Sequence, residues 1–136
     1  MRSIILGFNV MTENELSHIV IACAIEVHRT LGGPGLLESV YEEALAWELE
    51  NRSLDVKRQI ELPISYKNHR LGSPLRIDLI VGEKLIVECK ATTACLDIYK
   101  AQVLTYLRLS NLKLGLLINF GEVLLKNGIH RVVNQL

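Results

Sequence analysis

Two acidic residues and a lysine near the middle of the chain are the side chains best suited to chemistry. Asp78 lies in one apolar run, and Glu88 and Lys90 lie at the end of the next one. The runs are rich in β-branched residues and flank Gly82-Glu83-Lys84, which predicts an antiparallel hairpin with a three-residue loop. In this register Asp78 pairs with Glu88, and both share a face with Lys90. A four-residue loop would instead place the two carboxylates on opposite faces.

The charges lie at the end of a hairpin whose other positions are apolar, so we expect its strands to be buried on both faces. The expected core face comprises Ile77, Leu79, Val81, Leu85, Val87 and Cys89. Two neighbouring buried carboxylates repel each other, and a divalent cation held between them would relieve the repulsion. The alternative is a salt-bridged strand end, in which Lys90 neutralises one carboxylate and Arg76 the other.

Composition limits the possible function classes. With 136 residues, of which 49% are hydrophobic, the chain is expected to form one domain with a substantial core. A formal net charge of zero excludes an overall basic field, so nucleic-acid binding would need a local patch. The three cysteines lack the spacing of a disulfide, zinc or iron-sulfur site, which favours a cytoplasmic protein. The apolar stretch Ile4 to Met11 is too short to span a membrane.

The segments around the hairpin predict a mixed α/β domain. Thr12 and Glu15 form a capping box that opens a helix ending near Leu31, with a solvated or dipole-facing His28 near its end. A second helix is predicted over residues 37–51, with Glu38 in its first turn. Its expected buried stripe is Leu37, Val40, Tyr41, Ala44, Leu45 and Leu49, and its glutamates at positions 42, 43, 48 and 50 are expected mostly to face water.

The remaining segments predict further strands and one more helix. Residues 55–66 are predicted to be extended, with Pro63 indicating an edge or irregular position. A helix over residues 96–109 leads to a buried strand over 114–120, which makes a right-handed β-helix-β crossover. Val123 to Lys126 and Ile129 to Val133 predict a C-terminal β-hairpin around an Asn-Gly turn.

Five motifs in these segments match a known family. They are Gly35-Leu36-Leu37-Glu38-Ser39-Val40-Tyr41, Ile77-Asp78, Glu88-Cys89-Lys90, the helical pair Gln102 and Tyr106, and Gly115 to Gly121. In this order, over almost the whole chain, they resemble the GxxExxY proteins, a branch of the PD-(D/E)xK nuclease superfamily. The resemblance implies a restriction-endonuclease-like mixed β-sheet core flanked by helices, in a single domain over residues 1–136. Ile77 stands where the nominal superfamily pattern has proline.

The resemblance also implies a metal site. Asp78 and Glu88 would bind Mg²⁺ or Mn²⁺, and the carbonyl of Cys89 would be a third ligand. Lys90 would stabilise the attacking hydroxide or the charge that develops on phosphorus, which agrees with the electrostatics of such sites. Glu38 would bind the metal directly or through water.

Gln102 and Tyr106 would orient the site or contact phosphate. The residues alone leave other readings open for these side chains. Tyr106 can be partly core, and Gln102 can be a satisfied polar group on an interior helix. Tyr41 is expected to be a packing residue with a hydrogen-bonded hydroxyl, and the thiol of Cys89 is expected to be core.

The function that the resemblance implies is metal-dependent hydrolysis of phosphodiester bonds in DNA, in repair, recombination or defence. The main alternative is a catalytically silent nuclease-like module that binds nucleic acid or a protein partner. Retention of Asp78, Glu88 and Lys90 favours activity, whereas the neutral charge favours the silent module. A further alternative is that the domain forms a homodimer, or joins a larger complex that binds the substrate.

Overall fold

The computed structural model describes residues 10–95 and 97–136. Its elements are α1 (Glu13–Thr30), α2 (Glu38–Asn51), β1 (Val56–Leu62), β2 (Ser65–Tyr66), β3 (His69–Arg70), β4 (Leu75–Val81), β5 (Leu85–Lys90), α3 (Asp97–Ser110), β6 (Leu114–Asn119), a 3₁₀ helix (Leu125–Gly128) and β7 (Ile129–Val133). Residues 4–9 of the apolar N-terminal stretch, and Leu96 at the start of the third predicted helix, lie outside the described residues. Within residues 10–95 and 97–136, no helix is long and apolar enough to cross a membrane.

Five strands form one mixed sheet in the order β1-β4-β5-β6-β7. Strands β5 and β6 are parallel, and the other neighbours are antiparallel. The helices flank this sheet, so the restriction-endonuclease-like α/β fold is confirmed. Strand β1 is an edge strand that ends directly before Pro63, as the proline predicts.

The C-terminal antiparallel pair consists of β6 and β7. The prediction that Val123 to Lys126 forms the first strand of this hairpin is wrong, because residues 125–128 form the 3₁₀ helix. The buried β6 already offers its free edge to β7, so the polar Asn-Gly segment serves as part of a longer connection.

Apolar side chains form a separate core on each face of the sheet. One core joins α1 and α2 to the sheet, and the other joins α3 to it. Strand β6 is buried along its whole length, as its continuous apolar sequence predicts. The prediction that Ile77 shares a face with Leu79 is wrong, because Ile77 lies in the α3 core and Leu79 in the other. Strand β4 therefore changes phase at Asp78.

Helix α1 begins at the predicted capping box, in which Thr12 and Glu15 each bond the other's backbone N–H. Of the two alternatives predicted for His28, the solvated one is wrong, and the residue does lie in the last turn of α1. Its ring is buried, and its Nε2 lies 2.9 Å from the carbonyl oxygen of Glu122 in the loop after β6. Burial is tolerated because the ring finds a hydrogen-bond partner on another segment.

Helix α2 is rotated relative to its predicted buried stripe. Tyr41, Leu45 and Leu49 are buried as predicted, but Leu37 is 74% exposed and Val40 is 39% exposed. Glu42, expected to face water, is only 5% exposed. The rotation is possible because Arg58 and Gln59 of β1 donate hydrogen bonds to the Glu42 carboxylate. The buried charge is therefore paired.

The crossover helix α3 lies very close to β6 at Gly115. A Cβ atom on Gly115 would lie 2.6 Å from Cγ1 of Val103. We therefore expect Gly115→Ala to lower the free energy of unfolding by about 1–3 kcal/mol through overpacking. Urea denaturation would measure this loss, and in a Val103→Ala background the same substitution should cost much less.

Gly72→Ala is the matched control, because a Cβ atom there meets no atom within 4 Å. Equal costs for Gly115→Ala with and without Val103 would contradict the close approach of α3 to the sheet.

Candidate active site

The central hairpin has the predicted three-residue loop and register. Val81 pairs with Leu85, and Leu79 pairs with Val87. The described backbone pairing ends there, one residue before Asp78 and Glu88, so the prediction that these two residues pair in the ladder is wrong. The two strands therefore separate at the position where the sequence places the two carboxylates.

Side-chain hydrogen bonds replace the backbone ladder beyond this point. The backbone N–H of Asp78 donates to Oε1 of Glu88, and the backbone N–H of Cys89 donates to Oδ2 of Asp78, each at 2.9 Å. Each carboxylate is thus anchored to the opposite strand. One oxygen of each, Oδ1 and Oε2, is left free of these backbone bonds and available to a ligand.

Burial and nearby charge raise the pKa values of Glu88 and of the tyrosine beside it. Glu88 is 4% exposed, and burial followed by the charge of Asp78 raises its pKa to about 8. Tyr106 on α3 is 4% exposed, and burial followed by the charges of Glu88 and Asp78 raises its pKa to about 12. The Tyr106 hydroxyl is therefore protonated at neutral pH, and it lies close enough to Glu88 and Asp78 for their charges to raise its pKa.

Lys90 lies beside this pair without a direct ionic contact. Its Nζ lies 4.5 Å from the ring centroid of Tyr99 on α3, a cation–π contact. Within the described residues no carboxylate lies within 4.0 Å of it, and Arg76 pairs with Glu61 on β1 at 3.3 Å. The alternative of a strand end salt-bridged by Lys90 and Arg76 is therefore wrong.

Glu38 is the first residue of α2, so it approaches the site from the face of the sheet opposite α3. Burial raises the pKa of its carboxyl, while the charge of Lys90 and the backbone N–H of Ala91 oppose that rise. The charge of Asp78 acts in the same direction as burial. The structure thus brings Glu38 to the predicted site, and the helix start places its carboxylate at the favourable end of the α2 dipole.

Tyr41 fixes the loop that leads into α2. Its hydroxyl donates to the carbonyl of Gly33 at 2.7 Å and accepts from the backbone N–H of Leu36 at 3.2 Å. Its ring stacks on Phe120 with the centroids 4.7 Å apart. The prediction of a packing residue with a hydrogen-bonded hydroxyl is confirmed, and its effect is to fix the start of the helix that carries Glu38.

The other predicted residues have mixed surroundings. Gln102 is exposed on α3, one turn before Tyr106, so it is not an interior polar group. Its contact with phosphate stays a prediction. The thiol of Cys89 is fully buried in the α1 and α2 core, and burial raises its pKa well above the usual range. The role of the Cys89 carbonyl as a metal ligand also stays a prediction.

Asn119 is a positioning residue that the sequence reasoning missed. It is fully buried, and its side chain accepts from the backbone N–H groups of Thr92 and Gly121 and donates to the carbonyl of Thr92. The backbone N–H of Phe120 donates to the carbonyl of Lys90 at 2.7 Å. These bonds join the loop after β5 to the loop after β6. The available signal was a lone amide at the end of an apolar strand.

Glu42 and Gln59 were also missed. Glu42 lies one turn after Glu38 on α2, and the amide of Gln59 on β1 contacts both Glu42 and Asp78. The spacing of four residues from Glu38 was a usable signal, because it places both glutamates on one side of the helix.

A comparison with protein families shows which family the chain belongs to. A family model described as the PD-(D/E)XK nuclease superfamily matches residues 14–132, which is most of the chain. The chain belongs to the PD-(D/E)XK nuclease superfamily. Comparisons with curated proteins and with solved structures give no match.

The donor set of this PD-(D/E)XK domain fits a hard divalent ion. Within residues 10–95 and 97–136, no group of three or more His, Cys, Asp or Glu side chains has the arrangement of a metal site. Asp78 and Glu88 alone supply two adjacent carboxylates, each already oriented by a backbone N–H. Mg²⁺ commonly takes one or two carboxylates and completes its shell with water and phosphate oxygens.

The raised pKa of Glu88 predicts a pH-dependent stability for the metal-free PD-(D/E)XK domain. The folded carboxyl keeps its proton up to about pH 8, whereas the unfolded one loses it near its ordinary value of 4.5. The folded state therefore binds more protons between these values, and the free energy of unfolding should fall as the pH rises. The slope should not exceed about 1.4 kcal/mol per pH unit.

Urea denaturation in the presence of a chelator, between about pH 5 and about pH 8, would measure this slope. Glu88→Gln should flatten it, and Glu61→Gln, at an exposed glutamate, should not. An unchanged slope in Glu88→Gln would mean that another group is responsible.

Proposed function

We propose that this domain is a divalent-metal-dependent nuclease that hydrolyses phosphodiester bonds in DNA. The observation that carries the proposal is the adjacent pair Asp78 and Glu88, each anchored by a backbone N–H of the opposite strand. Lys90 lies next to this pair, and among the residues that the structure describes it forms no ion pair. Membership of the nuclease superfamily supports the same reaction class.

Asp78 and Glu88 would hold Mg²⁺ or Mn²⁺, with the carbonyl of Cys89 as a third ligand. When bound, such an ion lowers the pKa of water and neutralises phosphate charge. Glu38 would contact the ion directly or through water. Its approach from α2 means that both helical layers contribute to the site.

Lys90 would stabilise negative charge on the phosphate, because its ammonium group is held by the ring of Tyr99 and not by a carboxylate. Tyr106 keeps its proton at neutral pH and can donate a hydrogen bond beside Glu88. The exposed amide of Gln102, one turn earlier on α3, can reach a bound phosphate backbone. These roles follow from position and chemistry, and each can be removed by a single substitution.

We also propose that the chain belongs to the GxxExxY branch of its superfamily, with a role in DNA repair, recombination or defence. Support comes from the motif residues themselves, since Tyr41 fixes the loop that presents Glu38. A cytoplasmic location stays a prediction. The same holds for a homodimer or larger complex, for which β7, an edge strand within residues 10–95 and 97–136, offers a place to pair.

Calorimetric titration with Mn²⁺ and Mg²⁺ tests the metal site. We expect saturable binding to the wild type and its loss in Asp78→Ala and Glu88→Ala, because each substitution removes a ligand. Asp55→Ala, at an exposed aspartate, is the control and should bind like the wild type. Absence of binding even with DNA present would favour a silent module that binds nucleic acid or protein without cleaving it.

Cleavage of labelled DNA, single-stranded and double-stranded, tests the catalytic role of Lys90. Lys90→Met should reduce the rate about 10²-fold or more while metal binding is kept, because it removes charge stabilisation and no ligand. Lys57→Met removes the same charge from an exposed lysine of β1 and should leave the rate unchanged. Cleavage by Lys90→Met at the wild-type rate would refute the assignment.

A further inference from the structure

Gln59 has an unusual backbone conformation at the site. Its φ is +52°, in the left-handed region, although it is neither glycine nor asparagine. Strand β1 pairs with β4 at Leu79 and at Ile77, but the intervening position, Gln59 opposite Asp78, is not paired. A left-handed conformation costs a residue with a side chain about 1–2 kcal/mol, so something must hold it.

The contacts of the Gln59 side chain supply that restraint. Gln59 is exposed, so core packing does not impose its conformation. Its Nε2 donates to both carboxylate oxygens of Glu42, each at 2.9 Å. Arg58 binds the same carboxylate at 3.3 Å, so the 5%-exposed charge of Glu42 is fully engaged. Helix α2 therefore holds β1 in this conformation through one buried carboxylate.

The same amide faces the metal-binding pair. Nε2 of Gln59 lies 3.5 Å from Oδ1 of Asp78, the oxygen that is free of backbone bonds. The other oxygen of Asp78 is held by the N–H of Cys89. Strand β4 changes phase at this residue, so regular strand geometry does not fix the Asp78 side chain. The carboxylate is bounded by Cys89 on one side and Gln59 on the other.

We propose that Glu42 and Gln59 are positioning residues that hold Asp78 in its ligand orientation and that Glu42 is not itself a metal ligand. The metal part of this inference rests on the proposed function. Both carboxylate oxygens of Glu42 already bind Gln59, and one of them also binds Arg58, so neither is open to a metal ion. A supporting residue of this kind typically changes metal affinity 10–100-fold when it is lost.

Gln59→Gly separates positioning from general stability. Glycine adopts the left-handed conformation without strain, so the backbone of β1 is kept while the amide is removed. We expect calorimetry to show Mn²⁺ binding weakened about tenfold or more. Ser53→Gly is the matched control, because Ser53 has a φ of +63° in the connection before β1, and it should bind Mn²⁺ like the wild type.

The orientation of Asp78 has a readout that needs no metal. The backbone amide of Cys89 reports its hydrogen bond to Asp78 through its chemical shift and its hydrogen-exchange rate. In metal-free Gln59→Gly we expect the Cys89 amide to shift and to exchange faster, while core amides of β6 stay unchanged. Glu42→Ala should have the same effect, and Glu42→Gln, which retains one acceptor oxygen, should restore part of the wild-type behaviour.

The two readouts distinguish the possible failures. A wild-type Cys89 amide in Gln59→Gly would overturn the positioning role, whatever the metal affinity. A perturbed Cys89 amide with unchanged Mn²⁺ binding would overturn the link to the metal site. A wild type that binds no metal with or without DNA would refute the proposed function, and the Cys89 amide would still decide whether Glu42 and Gln59 orient Asp78.

Discussion

The structure depends on a reciprocal pair of hydrogen bonds at the point where β4 and β5 separate. Asp78 and Glu88 each accept a backbone N–H from the opposite strand, so the strands remain joined after their ladder ends. This arrangement keeps two acidic side chains together inside the domain, where burial and the charge of Asp78 raise the pKa of Glu88 to about 8. A site under such electrostatic strain persists only where the surrounding structure holds it.

That support comes from segments far apart in the sequence. The ring of Tyr41 stacks on Phe120, His28 reaches the carbonyl of Glu122, and Asn119 binds the loop that follows Lys90. At Gly121 a Cβ atom would lie 2.2 Å from the carbonyl oxygen of Thr92, so the two loops meet without room for a side chain. The start of α2 and the ends of β5 and β6 are consequently one unit, and the side chains that they carry are held on a common frame.

Local sequence predicted most of the secondary structure because its signals act over a few residues. The capping box at Thr12, the three-residue loop at Gly82 and the apolar run of β6 each specify their element directly. Motifs in the correct order then indicated the superfamily, which the family comparison shows over residues 14–132. The face of β5 that carries Glu88 and Lys90 followed from strand alternation, whereas the orientation of Asp78 did not, because β4 changes phase there.

Other features depended on contacts between distant segments. The α2 face that carries Glu42 looks solvated in sequence, and only the approach of Arg58 and Gln59 makes its burial possible. The change of phase at Asp78 moves Ile77 to the opposite core, which an alternating pattern does not reveal. The sequence by itself determined the helices, the central hairpin and the identity of the charged residues, because these follow from local periodicity and turn chemistry. The tertiary structure alone decided which polar groups are buried and paired, because a buried charge is stable only where another segment supplies its hydrogen bonds.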